Sequence, residues 1–582
     1  MSYIAIVDKD KCKPNKCNNE CMKKCPPQMT GKIVIDIEDI GTTISAKINE
    51  SMCVGCKMCA KSCPFGAIKI VNTPNEKPKD IIHRYNPNGF KLYKLPELRK
   101  NNVTTLIGRN GIGKSTVLDI LCGNIIPNQV DIEKYFKGNV MLNYFKQLTK
   151  HELIFSIKPQ KIKLCQPSVI FVNEYIDEQG LEINETFVSL GLMHILDFQI
   201  INLSGGELQR LLCWCTASRP ANVYIFDEPS NFLDISQRLL IAQMIKGLCT
   251  PMTYVLTVEH DLSLADYMSD NIHIMYGQPG IYGICHDLLS VSSGINLYLK
   301  GYIPLSNMRI RDDPFTFISS INNGSNIDSI AENFTLESSC VEFKKFRLTI
   351  PSLTLNLKSG LYVILGENGV GKTTLLNYIE TCSGLQVGYK LQHNRSQLTK
   401  SDLDKTVLEF LYNQTYNLPQ FRSDVVKVLN INKLEEKYIR QLSGGELQKV
   451  MICKTLCADA NIYLLDEPSA NLDIESRIAC VKAIKRFTNN NDKSVYIIEH
   501  DFMMALSLSQ EHNSKIIYIK KEMIDSVKHC EVIPPQHFIS GINLFLQDMN
   551  VTMRTGEFGR PRINKFGSQL DSKQKLEGMY FT

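Results

Sequence analysis

Two stretches of this 582-residue chain carry the chemistry of phosphate binding. Gly108–Thr116 reads GRNGIGKST and Gly366–Thr374 reads GENGVGKTT. In this spacing Gly108, Gly111 and Gly113, and likewise Gly366, Gly369 and Gly371, let backbone N–H groups approach phosphate oxygens. A following helix turns its N-terminus to the same anion. Lys114 and Lys372 are then expected to reach the β- and γ-phosphates. Ser115 and Thr373 offer hydroxyls to Mg²⁺, which takes oxygen ligands. Asn110 and Thr116, with Asn368 and Thr374, complete the two loops. Further on, YIFDE ends at Asp227-Glu228 and YLLDE at Asp466-Glu467. Asp227 and Asp466 suit the Mg²⁺ shell, and Glu228 and Glu467 suit activating or positioning a water. His260 and His500 each follow an apolar run and are placed to sense the γ-phosphate.

These groups need strands and helices to hold them. VTTLIG and LYVILG read as strands that end at the first glycine, and STVLDIL and TTLLNYI read as helix starts. The whole set is duplicated. Each copy also carries LSGGE, at Ser204, Gly205 and Gly206 and at Ser443, Gly444 and Gly445, where a Gly-Gly helix start makes a second anion-binding N-terminus. Ser204 to Asp227 and Ser443 to Asp466 both span 23 residues, whereas Lys114 to Ser204 spans 90 and Lys372 to Ser443 only 71. The first copy is therefore longer ahead of its LSGGE. Phe136, Leu142, Phe145 and Leu148 recur at helical intervals there, with Gly138 as a turn, so the spacing predicts a helix–turn–helix near 131–155.

Eight of the twenty cysteines fall within the first 63 residues. Cys53-x₂-Cys56-x₂-Cys59-x₃-Cys63-Pro64 has the spacing of the bacterial ferredoxin run that holds [4Fe–4S] clusters. Cys12, Cys17, Cys21 and Cys25-Pro26 form a wider partner motif. Zinc-binding CxxC pairs and a disulfide framework are the competing readings. In two-cluster ferredoxins the fourth cysteine of a run ligates the other cluster. That resemblance implies one cluster on Cys53, Cys56, Cys59 and Cys25, and another on Cys12, Cys17, Cys21 and Cys63.

Composition sets outer bounds. Apolar residues make up 43% and charged residues 21%, with a net charge of +5. This is ordinary globular composition and excludes wholesale disorder. No apolar run approaches the roughly 18 residues of a membrane-spanning helix. The first dozen residues lack the pattern of a secretory leader, so a cytoplasmic location, with the nucleus as a second, is expected. The division expected is a head at 1–77, a first nucleotide-binding domain at 78–300, a cationic hinge at 301–318, a second nucleotide-binding domain at 319–545, and a second hinge with the C-terminal segment at 546–582. A flexible link is expected near 322–333.

Two P-loops with two LSGGE motifs resemble the ATP-binding cassette (ABC) ATPases. The resemblance implies α/β cassettes facing head to tail and two composite ATP sites. Lys114, Ser115, Asp227, Glu228 and His260 would face Ser443, Gly444 and Gly445. Lys372, Thr373, Asp466, Glu467 and His500 would face Ser204, Gly205 and Gly206. It also implies a Q-loop glutamine, at Gln160 and Gln392, and an aromatic that stacks on adenine. Tyr85 is the candidate in the first copy, with Phe90 nearby. In the second copy the choice lies between Phe343 and Phe346.

An iron–sulfur head on twin cassettes resembles ABC subfamily E, the RNase L inhibitor or ribosome-recycling family. CKPNKC, CVGCKMCAKSCPFGAI, HRY, NGIGKST, GYIP and GRPRINK carry that resemblance over nearly the whole chain. It implies an ATPase that splits ribosomes into subunits after termination with a release-factor-like partner and stays on the small subunit. It also implies roles at initiation or ribosome biogenesis. The helix–turn–helix and both hinges would contact ribosomal RNA and protein, through Arg309, Arg311, Arg554, Arg560, Arg562 and Lys565. Departures from the family pattern are Ser306, where a glutamate is usual, and Asn231 and Asn471 in the variable loops after DEPS. The readings set against this are the ATPase subunit of an ABC transporter and an ATP-coupled iron–sulfur redox protein.

Overall fold

The computed structural model describes residues 3–8, 11–40, 43–72, 80–86, 88–160, 170–317, 333–343, 346–358, 360–392, 394–511, 514–524 and 527–582. The link expected near 322–333 lies almost wholly outside them.

The head is built from two antiparallel strand pairs. Tyr3–Val7 pairs with Ile68–Asn72, and Ile35–Ile40 pairs with Thr43–Ile48. Short helices Glu20–Lys23 and Met58–Ser62 lie within the cysteine motifs and carry Cys21 and Cys59. A small core of Ala5, Val34, Ile35, Ile48, Ile68 and Ile70 includes the buried Cys25 and Cys59.

Each P-loop belongs to a mostly parallel sheet with helices on both faces. In the first, the strand order is 81–84, 91–93, 282–285, 271–278, 103–108, 254–258, 223–227, 155–158. In the second it is 339–343, 346–350, 527–536, 514–524, 361–365, 494–498, 462–466, 387–390. The orders correspond strand for strand, as a duplicated sequence requires. Val103–Gly108 and Leu361–Leu365 are buried at every position, because a central parallel strand is covered on both sides. The strand carrying each P-loop lies beside the one that precedes the histidine, and that strand lies beside the one ending in Asp-Glu. All these motifs therefore emerge at the same carboxyl edge, where doubly wound sheets bind ligands.

The inserted helix–turn–helix is present as Ile132–Tyr135 and Met141–Thr149, with Gly138 at φ 83° between them. Its inward face differs from the expected one. Phe136, Met141, Tyr144 and Phe145 are buried, whereas Leu142 and Leu148 are half-buried. Tyr144 donates its hydroxyl to Leu121 O at 2.8 Å, at the end of the P-loop helix. The insertion is part of the cassette's core.

Both hinges fold back on the cassettes. Tyr302–Ile303 pairs with Met308–Arg309, and Met553–Thr555 pairs with Pro561–Ile563. Arg311 binds Glu475 of the second cassette at 2.6 Å. Arg562 and Arg560 bind Asp266 of the first at 2.7 and 3.5 Å. These three arginines were expected to be phosphate contacts; they are instead tied to the protein's own carboxylates, Arg560 and Arg562 sharing Asp266 and Arg311 sharing Glu475 with Arg109. Arg309 and Lys565 stay exposed, and Arg554 is half-buried and donates to Asn564 Oδ1. Ser306 is buried and hydrogen-bonds Tyr276 Oη at 2.5 Å, so the serine is fitted into the hinge.

Candidate functional site: two nucleotide sites and a cysteine-lined head

The P-loops are the link between strands Val103–Gly108 and Leu361–Leu365 and helices Lys114–Leu121 and Lys372–Cys382. Gly113 and Gly371 adopt φ 97° and 96°, open only to glycine at low cost. A Cβ there would also strike Phe90 or Phe346 at 2.7 and 2.8 Å. Phe90 and Phe346 are thus equivalent residues, packed beneath the loop. Tyr85 follows strand 81–84 opposite Phe90, Phe343 ends strand 339–343 opposite Phe346, and the two are 38% and 63% exposed. Phe343 stands where Tyr85 does.

Lys114 donates to Gly108 O at 2.8 Å, Arg109 O at 3.0 Å and Asn110 Oδ1 at 3.3 Å. Lys372 donates to Gly366 O at 2.9 Å and Glu367 O at 2.5 Å. Burial pushes both ammonium groups down to about 8, against the opposing charges of Glu228 and Glu467, so both remain cationic at neutral pH. Burial and the adjacent glutamates lift Asp227 and Asp466 to about 6.

Glu228 and Glu467 sit at φ 51° and 46°, a left-handed backbone that costs a non-glycine residue roughly 1–2 kcal/mol. Glu228 Oε1 accepts from Gln160 Nε2 at 2.6 Å and lies 3.2 Å from His260 Nε2. Glu467 Oε1 accepts from Gln392 Nε2 at 2.8 Å and lies 3.2 Å from His500 Nε2. Burial opposes ionisation of Glu228 and Glu467. The histidine, the glutamine and the P-loop lysine outweigh it and hold both carboxyls at about 2. Burial, then the Lys114 charge, lowers His260 to about 4, so His260 is neutral at pH 7. Its Nε2 faces both Glu228 Oε1 and, at 3.3 Å, Lys114 Nζ, and one tautomer satisfies only one of them.

Several residues here had no role assigned from sequence. Lys158 and Lys390 are 1% and 0% exposed. Lys158 Nζ donates to Asp227 O at 2.8 Å and Glu228 O at 3.1 Å, and Lys390 Nζ donates to Asp466 O at 2.9 Å. Gln209 and Gln448, on the LSGGE helices, donate to Glu228 O and Glu467 O at 2.8 Å. These donors pin the backbone of the strained glutamates. Asp234 and Asp473 cap helices Ile235–Gly247 and Ile474–Asn491, and each also accepts a P-loop N–H from the other cassette. The bonds are Asn368 N to Asp234 and Asn110 N to Asp473, both 2.9 Å. The one signal for all of them was recurrence in both copies, in K-x-Q, LSGGELQ and the LD after DEPS.

The cassettes thus meet head to tail. A cavity of about 990 Å³ is lined by Lys372, Thr373, Gln392, Asp466, Glu467 and His500 of one and by Ser204, Gly205 and Gly206 of the other. Ser204 and Ser443 cap their helices, accepting from Glu207 N and Glu446 N. In the first site the tie across the interface is Asn110 to Asp473, with Arg109 on Glu475 at 3.1 Å. The donors fit Mg²⁺. Thr373 Oγ1 donates to Asp466 Oδ2 at 2.7 Å, and Asp466 Oδ1 is buried without a partner among the described residues.

In the head, the sulfurs fall into two groups. Burial first, then Cys12, Cys63 and Cys17, push the Cys21 thiol up to about 11. Burial, then Cys53, Cys25 and Cys56, push Cys59 up to about 12. These are the two sets that the cross-ligated pattern implies. Cys12, Cys17, Cys21 and Cys63 line one small apolar cavity with Ile37, Phe65 and Ile68. Ala46 N–H donates to Cys12 Sγ and Ala67 N–H to Cys63 Sγ, both at 3.4 Å, contacts that suit cluster-bound thiolates. The described cysteines are all free thiols. The donor set fits iron–sulfur clusters.

Fold and sites together define a twin-cassette ATPase with an iron–sulfur head. Residues 96–231 and 350–470 match the family model described as ABC transporter. Residues 46–69 match a 4Fe-4S binding domain, and residues 3–32 match a possible Fer4-like domain in RNase L inhibitor. ABC transporter E family member 1 of Arabidopsis thaliana is 39% identical, over 100% of this chain and 99% of its own. A solved structure described as a model of ribosome-bound archaeal Pelota and ABCE1 aligns with TM-score 0.88 and 35% identity, covering 100% of this chain and 99% of that one. The archaeal ribosome recycling factor aABCE1, solved with the archaeal ribosomal stalk protein aP1, aligns with TM-score 0.78 and 36% identity, over 87% of this chain and all of that one. The chain belongs to the ABC E family. It is an ATPase whose cofactors are Mg²⁺ and [4Fe–4S] clusters.

Proposed function

We propose that this protein is an ATP-driven ribosome recycling factor. It splits ribosomes into subunits after termination with a release-factor-like partner, remains on the small subunit, and acts there at initiation or in ribosome biogenesis. The observation that carries the reading is the end-to-end match to a chain solved on the ribosome with Pelota. The structure of the recycling factor with a stalk protein supports it further. The work is done in the cytoplasm, and the nucleus is a second location. No described helix is long and apolar enough to cross a membrane.

We assign the division of labour to a head at 1–77, cassettes at 78–300 and 319–545, and hinges at 301–318 and 546–582. Gly108–Thr116 and Gly366–Thr374 cradle the phosphates. Lys114 and Lys372 offset the charge on the β- and γ-phosphates. Ser115 and Asp227, or Thr373 and Asp466, would hold Mg²⁺, which would neutralise phosphate charge there. Tyr85 and Phe343 stack on adenine. Glu228 and Glu467, ionised at neutral pH, take a proton from the attacking water while Gln160 and Gln392 orient them. His260 and His500 read the γ-phosphate, and the Ser-Gly-Gly of the opposite cassette closes over it. Closure is driven by ATP binding the closed state more tightly than the open one. The two cysteine sets would hold the iron–sulfur clusters of the head, which pushes the subunits apart.

The test is a sucrose gradient of anaerobically purified protein with ribosomes and a non-hydrolysable ATP analogue. Co-migration with the small subunit, dependent on nucleotide and reduced by charge reversal at the exposed Arg309 and Lys565, is the expected result. Absence of binding in every nucleotide state, with intact clusters and ATPase activity, overturns the reading.

A further inference from the structure

The two sites are not copies of each other around the water-activating glutamate. In both, Oε1 is occupied, by Gln160 and His260 in the first and by Gln392 and His500 in the second. The difference lies at Oε2. Asn231 Nδ2 donates to Glu228 Oε2 at 2.5 Å. The position three residues after Glu467 is Ala470, whose methyl group donates nothing. Among the described residues Glu467 Oε2 has no side-chain donor. The backbones match, since Phe232 and Asn471 both adopt the left-handed region, at φ 65° and 59°. At this position the side chain, not the backbone, sets the two glutamates' Oε2 atoms apart. Exposure agrees: the Glu228 side chain is 9% exposed and that of Glu467 is 22%.

We propose that Asn231 is a positioning residue that caps Glu228 and makes the first ATP site the slower of the two. This rests on Glu228 and Glu467 acting as the water-activating groups. In that reaction the water oxygen bonds to the γ-phosphorus as its proton passes to a glutamate oxygen. The bond from the γ-phosphorus to the bridging oxygen breaks, and its electron pair leaves with ADP. Oε1 is engaged in both sites, so Oε2 is the oxygen open to water in the second site. In the first, Asn231 must give up a charge-assisted hydrogen bond before water can approach.

The test isolates one site at a time. In a Glu467→Gln chain, where only the first site turns over, Asn231→Ala raises the single-turnover rate by roughly ten-fold, the worth of one hydrogen bond to a charged group. ATP affinity stays unchanged. In a Glu228→Gln chain, Ala470→Asn slows the second site by a similar factor. Thermal melting and the visible absorption of the clusters confirm that each variant is folded. An unchanged or slower rate for Asn231→Ala, or an unchanged rate for Ala470→Asn, overturns the proposal while the double Glu→Gln chain is inactive. If that double variant still hydrolyses ATP at the parent rate, the assignment of the glutamates fails and the proposal fails with it.

Discussion

Glu228 and Glu467 combine a strained backbone with an ionised side chain, buried at Glu228 and half-buried at Glu467, and neither property was readable from DEPS. The sequence told which carboxylate follows the strand. It could not tell that a lysine two residues before each Q-loop glutamine reaches across to hold the carbonyls, because that contact joins residues about 70 apart. Replacing Glu228 and Glu467 together by glutamine is expected to lower ATP hydrolysis by roughly 10²–10⁴-fold while nucleotide stays bound, as read by phosphate release and filter retention. Lys158→Met, measured in a Glu467→Gln chain, is expected to slow the first site by about ten-fold, because the glutamate carbonyl loses a charged donor. The thiols make a third prediction. Burial places Cys21 near 11 and Cys59 near 12, so at neutral pH these groups are protonated before iron arrives. Loading requires the thiolates and releases their protons, so cluster reconstitution in vitro is expected to speed up as pH rises from 7 to 9. Absorption near the cluster bands is the readout.

At the scale of elements, the duplicated motifs made both sheets legible, since each motif demands a strand before it and a helix after it. The pairing of Phe343 with Tyr85 was not legible, because two phenylalanines sit close together in sequence and only the geometry beneath Gly371 separates them. The insertion was found from its period, but Met141 and Tyr144 were missed. Tyrosine reads as a surface residue until its hydroxyl finds the carbonyl of Leu121. Phe145 stacks on Phe136 at 5.0 Å between ring centroids and is 2% exposed. Phe145→Ala is therefore expected to cost about 3–5 kcal/mol and to lower the melting temperature of the first cassette, not merely to weaken a surface contact. Asp234→Ala removes a helix cap worth about 1 kcal/mol together with a bond to the other cassette's P-loop. ATP-dependent closure, followed by a distance label on each cassette, is expected to weaken more than thermal stability does.

For the whole molecule, the sequence announced cationic hinges but not where their charges go. Net charge and motif spacing carry no information on a partner nearly 300 residues away. Asp266 is nearly fully buried and receives two guanidinium groups, Arg560 and Arg562, from the far end of the chain. Asn296 and Glu557 add a second tie at 2.5 Å. This pairing carries a consequence for synthesis. Arg562 is made 296 residues after Asp266, a delay of roughly 15–60 s at common elongation rates. Throughout that interval the first cassette exists as a nascent domain with a bare carboxylate where its clasp will close. Any fragment cut or stalled before residue 560 keeps that surface open. A segment made near residue 560 thus seals a cassette made about 300 residues earlier.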